Sequence, residues 1–219
     1  VVSLVSASLT KPQENDQIEG LNSWLYGDEE LASNVLEEGD STQKIVKLSV
    51  DGTIAAGGSS GLFASEGYNH KNFMEQLKAI EEDPTVKGIF LEVNSPGGGV
   101  YESAEIAKKL DTIRKEHDIP MYVSMKNMAA SGGYYISAQA DKIFATEETV
   151  TGSIGVIMSG LNYSGLLEKL GVEDTTVKSG ALKDMGSGTR PETKEEEAVL
   201  QAYIDSAYSR FVAIVSEGR

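Results

Sequence analysis

Ser131 is the residue whose type and surroundings point most directly to chemistry. It lies in the run Met-Ala-Ala-Ser-Gly-Gly-Tyr-Tyr at 128–135, after a strand-like run at 121–125 and overlapping a helix-compatible run at 134–140. A serine on a tight turn between a strand and a helix can present its hydroxyl beside free backbone N–H groups. Such a hydroxyl is a candidate nucleophile for acyl transfer, although a serine that merely caps a helix gives the same pattern.

A second glycine-rich turn, Asn-Ser-Pro-Gly-Gly-Gly at 94–99, follows an apolar, strand-like run at 86–93. Acyl transfer needs backbone N–H groups directed at the developing oxyanion, and glycine lets the backbone approach a substrate closely. An ordinary turn can have the same composition. The functional interpretation gains weight because both turns follow predicted strands and would lie at the same edge of a parallel sheet.

A serine nucleophile needs a base, and the chain offers few. It has no cysteine and only two histidines, His70 and His117, whose polar surroundings predict ordinary surface residues. Lysine is the remaining candidate, since serine–lysine pairs are a known variant of the catalytic triad. The ordinary pKa of a lysine is about 10.4. Burial or neighbouring dipoles must lower this pKa to about 7–8 before the lysine can act as a base at neutral pH.

Two lysines, Lys178 and Lys183, stand in a glycine-rich segment at 177–186, whereas most others flank acidic residues or lie on helix faces. Composition does not choose between them. Asp184 counts against its neighbour Lys183, because a nearby carboxylate would favour the protonated lysine. Successive side chains of an extended loop need not meet, however, so both lysines stay candidates.

The composition excludes several classes of function. A formal net charge of −15 without a cluster of basic residues is unsuited to nonspecific nucleic-acid binding. The absence of cysteine excludes disulfides, thiolate nucleophiles and cysteine-ligated metals, and we expect neither a metal nor a cofactor. The sequence contains no run of 18 apolar residues and therefore no complete membrane-spanning helix.

Strand and helix patterns that alternate through 44–178 predict an α/β fold with a largely parallel sheet. The predicted strands lie at 44–50, 86–93, 121–125, 142–145 and 154–158, with one more ending at Val177. The predicted helices lie at 73–82, 106–113, 134–140, 166–170 and 198–214.

Residues 1–43 precede this pattern and are strongly acidic, so we expect a solvated N-terminal segment and a main domain at 44–219. The apolar start at 1–9 predicts either the end of a membrane anchor or a local helix or strand. A long helix that continues to the last residues indicates that part of the main domain lies beyond this sequence.

Several segments, in this order and spacing, resemble the S49 family of membrane-bound serine proteases, in the short signal peptide peptidase A form found in Gram-positive bacteria. These segments are 83–89, 94–98, 129–135, 151–156 and 178–184. The resemblance covers about residues 44–215.

This resemblance implies a ClpP/crotonase-like fold with repeated ββα units and a serine endopeptidase with a Ser–Lys dyad. It assigns the nucleophile to Ser131 and the general base to Lys183. It assigns the oxyanion donors to the backbone N–H groups of Gly98 and Gly132, and a lysine-orienting hydroxyl to Ser153.

The resemblance also implies the biological setting. The family degrades signal peptides that stay in the membrane after signal peptidase has released them, so we expect apolar peptides as substrates. We further expect a ring- or dome-like homo-oligomer with sites built across subunit contacts. A single-pass N-terminal anchor would hold the protein in the cell membrane, with the protease domain on the extracytoplasmic side and no nucleic-acid partner.

Three other interpretations share the predicted fold. Another S49 peptidase, such as a phage capsid maturation enzyme, would keep the same dyad. A crotonase-type enzyme that acts on an acyl-CoA would keep the oxyanion hole but would use carboxylates and no covalent serine. A membrane scaffold of the same fold would have no catalytic activity.

Overall fold

The chain forms two units, residues 1–154 together with 214–219, and residues 155–213. The computed structural model describes residues 2–7, 33–56 and 67–219. Most of the predicted acidic segment and the glycine-rich loop at 57–61 lie outside the described residues. In the parts of the chain that are described, no helix is both long and apolar enough to cross a membrane.

A mostly parallel sheet of seven strands, counted over the described residues, forms the centre of the first unit. The strands are β1 (Val2–Ala7), β2 (Ser33–Glu37), β3 (Asp40–Asp51), β4 (Val86–Ser95), β5 (Met121–Ala130), β6 (Lys142–Phe144) and β7 (Val150–Gly152). Their order is β2-β1-β3-β4-β5-β6, and β7 pairs with the last residues of β5. Only the β1–β2 pair is antiparallel among these strands. The prediction of a largely parallel sheet is therefore confirmed.

The core lies on the central strands and on the two helices that connect them. Leu48, Leu91 and Val123 are fully buried and stand side by side in the register of β3, β4 and β5. Helix α1 (His70–Glu82) and helix α2 (Val100–His117) contribute further buried apolar residues to the same cluster. Helix α3 (Gly132–Ser137) follows β5 after a single residue. This alternation brings the ends of β4 and β5 to one edge of the sheet.

Two predicted strands are absent from the described residues. The segments at 153–163 and 172–178 have no regular secondary structure, and β7 lies just before the first of them. Their apolar side chains are largely exposed, with Ile157 and Leu161 at 87% and Val177 at 97%. A strand needs a neighbour to satisfy its N–H and C=O groups, and neither segment has one among the described residues. Apolar composition alone was insufficient to predict a strand here.

The helices of the remaining chain agree with the predictions. Helix α4 (Ser164–Leu170) ends at Gly171, whose φ of 68° gives the left-handed cap that glycine favours. Helix α5 (Lys194–Gly218) is the long final helix. At the other end of the chain, the apolar start forms β1 and pairs with β3.

Candidate active site

Ser131 has an unusual backbone conformation. It occupies the single position between β5 and α3, with φ of 50° and ψ of −119°. Positive φ of this kind is normally found for glycine, and for another residue it costs about 1–3 kcal/mol. The Ser131 N–H donates to the carbonyl of Gly152 at 2.9 Å, and its own carbonyl accepts the N–H of Tyr135 at 2.8 Å. The surrounding backbone therefore holds the serine in this strained turn.

The side chain of Ser131 does not cap α3. It stands at the N-cap position, but it makes no capping hydrogen bond to the first turn of the helix. A capping serine normally has an extended backbone and accepts a bond from the helix. The simpler interpretation of this residue, a serine that only caps a helix, therefore does not fit the structure.

The glycine-rich loop after β4 lies directly against the serine turn. Ile54 fixes the loop from the other side, because its N–H donates to the carbonyl of Gly97 at 2.9 Å and its carbonyl accepts the N–H of Gly99 at 2.8 Å. A Cβ on Gly97 would lie 2.5 Å from the nitrogen of Gly132 and 2.8 Å from Cβ of Ser131. Only glycine allows this approach, and the φ of 100° at Gly97 requires it independently.

Two backbone amides near the serine are unpaired. In the described part of the chain, neither the N–H of Gly98 nor that of Gly132 donates a hydrogen bond. The two residues are close, since a Cβ on Gly132 would lie 3.2 Å from the nitrogen of Gly98. Unpaired amides next to a serine hydroxyl are the donors that a tetrahedral oxyanion requires.

Ser153 is tied to the serine turn through its neighbour. Gly152, whose carbonyl accepts the N–H of Ser131, directly precedes it in the chain. Both Gly152 and Ser153 have positive φ, at 82° and 53°. Ser131 and Ser153 are thus non-glycine residues with left-handed backbones on two adjoining loops, and the only other described example is Asp118 at the end of α2.

The two candidate lysines of the second unit differ in their contacts. The amino group of Lys178 donates to the carboxylate of Asp184 at 2.7 Å and to the carbonyl of Ala181 at 3.1 Å. Lys183 lies in a turn, where its N–H donates to the carbonyl of Gly180 at 3.2 Å. Its side chain is exposed and has no hydrogen bond or ion pair with any described residue.

Asp184 is engaged away from Lys183. Its two carboxylate oxygens accept hydrogen bonds from Nε and Nη2 of Arg190, at 2.8 and 2.7 Å. One of them also accepts a hydrogen bond from the amino group of Lys178. These hydrogen bonds, first from Arg190 and then from Lys178, hold the pKa of Asp184 far below its usual range. The carboxylate that sequence places beside Lys183 is therefore paired with other cations.

Arg190 also binds a buried carboxylate at the start of α5. Its Nη1 atom donates to Glu196 at 2.9 Å, and Glu196 is fully buried. The N–H of Thr193 donates to Glu196 at 2.8 Å, and the N–H of Glu196 donates back to the Thr193 hydroxyl at 3.3 Å. This is a capping box, and its Thr-x-x-Glu signature before an apolar run is a sequence signal that could have predicted it. The bond from Arg190 is the main cause that lowers the pKa of Glu196 to about 2.

The interpretation of His70 as an ordinary surface residue is wrong. Its side chain is only 12% exposed, and its Nε2 atom lies 2.8 Å from a carboxylate oxygen of Glu105. Its Nδ1 atom lies 2.5 Å from the hydroxyl of Tyr68. Burial, followed by the charges of Glu102 and Glu105, raises the pKa of that tyrosine. The carboxylate partner, Glu105, comes from α2, 35 positions later in the chain, so the local polar sequence could not indicate it.

Comparisons with known proteins identify the family of this chain. The Clp protease profile matches residues 64–151, and the Peptidase family S49 profile matches residues 113–219. A protein of Enterococcus faecium named "Putative signal peptide peptidase SppA" is 60% identical over all 219 residues, which are 63% of its own length. The chain belongs to the S49 peptidase family. The match to the Clp protease profile also confirms the predicted ClpP/crotonase-like fold class.

Other relatives of this S49 chain bear protease names. "Protease 4" of Haemophilus influenzae is 36% identical over 84% of this chain and 29% of its own length. "Serine protease SPPA, chloroplastic" of Arabidopsis thaliana is 30% identical over 64% of this chain and 21% of its own length. The S49 chain thus spans less than two thirds of the length of each of these relatives.

We predict that Gly97→Ala destabilises the first unit. The new Cβ would collide with the backbone of Gly132 and would be strained at φ of 100°. The expected result is a lower Tm, by roughly 2–4 °C for each kcal/mol of strain. Gly165→Ala in α4 is the control, because a Cβ added there would meet no atom within 4 Å and alanine favours helix. An unchanged Tm for Gly97→Ala would contradict the proposed close approach.

We predict that Glu196→Gln weakens the second unit in a pH-dependent way. The pKa of Glu196 is lowered to about 2 from an ordinary 4.5, so the ionised carboxylate stabilises the folded state above pH 4.5. This contribution is lost as the pH falls from 4.5 toward 2. Hydrogen exchange at the start of α5 should therefore be faster in the variant at pH 7, and the difference from wild type should shrink in acid.

The exposed neighbour Glu195 supplies the control for this experiment. Glu195→Gln should leave exchange at the start of α5 close to wild type at both pH values. A difference between wild type and Glu196→Gln that grows in acid would contradict the assignment.

Proposed function

We propose that this chain carries the catalytic serine and lysine of a serine endopeptidase, with Ser131 as the nucleophile and Lys183 as the general base. The observation that carries the proposal is the strained Ser131 turn, whose hydroxyl is not used as a cap and whose neighbours offer two unpaired amides. Strain at a serine between a strand and a helix is a recurring feature of nucleophiles.

The backbone N–H groups of Gly98 and Gly132 would bind the oxyanion. Their support is the absence of other partners for these amides in the described residues and their proximity to Ser131. Ser153 would orient the lysine, and it is supported by its position one residue after the carbonyl that holds the Ser131 N–H.

Lys183 is favoured over Lys178 by its contacts. A general base must accept a proton, and an amino group already bound to a carboxylate is held as an ammonium donor. Lys178 is in such an ion pair, whereas the amino group of Lys183 has no carboxylate partner among the described residues. Asp184, the carboxylate next to Lys183 in the chain, is itself bound by Arg190 and Lys178.

The reaction follows from these roles. Neutral Lys183 takes the proton of the Ser131 hydroxyl as the oxygen attacks the scissile carbonyl carbon, and the two amides stabilise the resulting oxyanion. The intermediate collapses with cleavage of the C–N bond, and protonated Lys183 gives its proton to the leaving amine. A water molecule, deprotonated by Lys183, then hydrolyses the acyl-enzyme and restores Ser131.

The substrates we propose are apolar peptides, specifically signal peptides that remain in the membrane after their release. The support is the name of the Enterococcus faecium relative and the strong sequence identity to it. We propose the same setting as the sequence resemblance implied, with a membrane anchor, an extracytoplasmic protease domain and a homo-oligomer. The exposed apolar residues of the second unit, such as Ile157, Leu161 and Val177, are consistent with further contacts there.

We predict that Ser131→Ala abolishes peptide hydrolysis. Loss of a serine nucleophile lowers kcat by at least about 10³-fold. Hydrolysis of an apolar fluorogenic peptide measures the loss, and circular dichroism checks the fold. Wild type, but not the variant, should also be labelled by a serine-directed phosphonate. A crotonase-type enzyme or a scaffold would give no such label, and an active Ser131→Ala variant would refute the nucleophile.

We predict that Lys183→Met is inactive and that Lys178→Met is active. Methionine keeps the aliphatic length of either lysine but cannot accept a proton, so only loss of the base should stop acylation. Burst kinetics with an activated ester measures acylation directly. If Lys178→Met is the inactive variant and Lys183→Met turns over, the base has been assigned to the wrong lysine.

A further inference from the structure

Among the described residues of the first unit, three serines are buried, and they differ in their partners. Ser95 Oγ accepts the N–H of Gly97 at 3.1 Å, and Ser137 Oγ donates to the carbonyl of Gly133 at 2.7 Å. The hydroxyl of Ser103, a residue only 3% exposed, has no hydrogen-bond partner among the protein atoms that the structure describes. Buried hydroxyls are normally paired, so this one requires a reason.

Ser103, like Ser137, lies in a helix, where its hydroxyl could donate to the carbonyl four residues earlier. Ser137 bonds the carbonyl four residues earlier in the chain, a common arrangement for serine in helices. For Ser103 that carbonyl belongs to Gly99, and it already accepts the backbone N–H of Ser103 at 3.1 Å. A carbonyl oxygen has two lone pairs and could accept a second bond. The Ser103 hydroxyl does not take it.

The hydroxyl lies against the nucleophile turn instead. A Cβ built on Gly132 would overlap with Ser103 Oγ and would lie 3.2 Å from the nitrogen of Gly98. The Ser103 hydroxyl is therefore next to both glycines whose amides we assign to the oxyanion. The Oγ atom is buried, so solvent does not reach it in the resting site.

We propose that Ser103 is a positioning residue of the oxyanion site, an inference that rests on the serine protease function proposed above. The O–H of Ser103 has no partner among the described residues in the resting site, so the hydroxyl can turn toward the oxyanion. This negative charge develops on the carbonyl oxygen of the substrate, where the Gly98 and Gly132 amides bind it. A dipole buried away from water interacts strongly with such a charge. The same dipole holds the Gly132 amide in place while the charge is present.

If Ser103 has this role, its substitution should lower the activity without lowering the stability of the fold. Removal of an unpaired buried hydroxyl should not destabilise the fold, because no hydrogen bond is lost. Removal of a paired one should destabilise it. Ser103→Ala and Ser137→Ala are therefore a matched pair, the same substitution at two buried serines on neighbouring helices.

The test compares kcat, KM and Tm of the two variants in the intact protein. For Ser103→Ala we expect kcat to fall by about three- to tenfold, less than for loss of a direct oxyanion donor, with KM and Tm no worse than wild type. A peptide aldehyde, which forms a tetrahedral adduct with a serine nucleophile, should bind more weakly by the same factor. Ser137→Ala should show the reverse, a lower Tm with unchanged kcat.

The outcomes distinguish this inference from the function on which it rests. A wild-type protein that neither hydrolyses peptides nor reacts with a phosphonate overturns both. An active wild type together with a Ser103→Ala variant of unchanged kcat overturns the role of Ser103 alone. A fall in Tm of Ser103→Ala that matches Ser137→Ala, with unchanged aldehyde affinity, overturns it as well, because it indicates packing only.

Discussion

The contact on which the candidate site depends is between two stretches of backbone. The loop after β4 and the turn after β5 approach so closely at Gly97 and Gly132 that a single added carbon would separate them. The parallel sheet makes this contact possible, since it brings the ends of neighbouring strands to one edge. Ile54 completes the arrangement by pairing with both sides of Gly98. The strained Ser131 turn and the unpaired amides of Gly98 and Gly132 lie at this approach.

Charge pairing organises the second unit in place of a sheet. Arg190 joins Asp184 to the buried Glu196, and Glu196 also closes the first turn of α5 with Thr193. An arginine fits this role because its planar group can bind two carboxylates at once. The arrangement leaves one lysine in an ion pair and the other without a carboxylate partner among the described residues, a difference that composition could not predict.

The sequence was informative where one residue type is physically required. Glycine at a close approach, a serine between a strand and a helix, and buried apolar strands all leave local signals, and the central sheet and its turns were predicted from them. The prediction of strands at 154–158 and before Val177 was wrong, because strand formation depends on a neighbouring strand that a local pattern does not specify. The prediction that His70 is an ordinary surface residue was wrong for a related reason, since Glu105 contacts it only through the packing of α1 and α2. The roles assigned to Ser131, Lys183, Gly98, Gly132 and Ser153 came from the resemblance and stay predictions.

Gly152 has a consequence for how the chain tolerates change in length. Its carbonyl accepts the Ser131 N–H, and the first segment of the first unit ends only two residues later, at Ile154. Surface connections usually accept insertions at little cost, because closing a slightly longer loop costs little entropy. This junction is different, since an extra residue between Thr151 and Ser153 would shift the carbonyl that sets the serine backbone. The length of the chain through β7 up to Gly152 is thus part of the site.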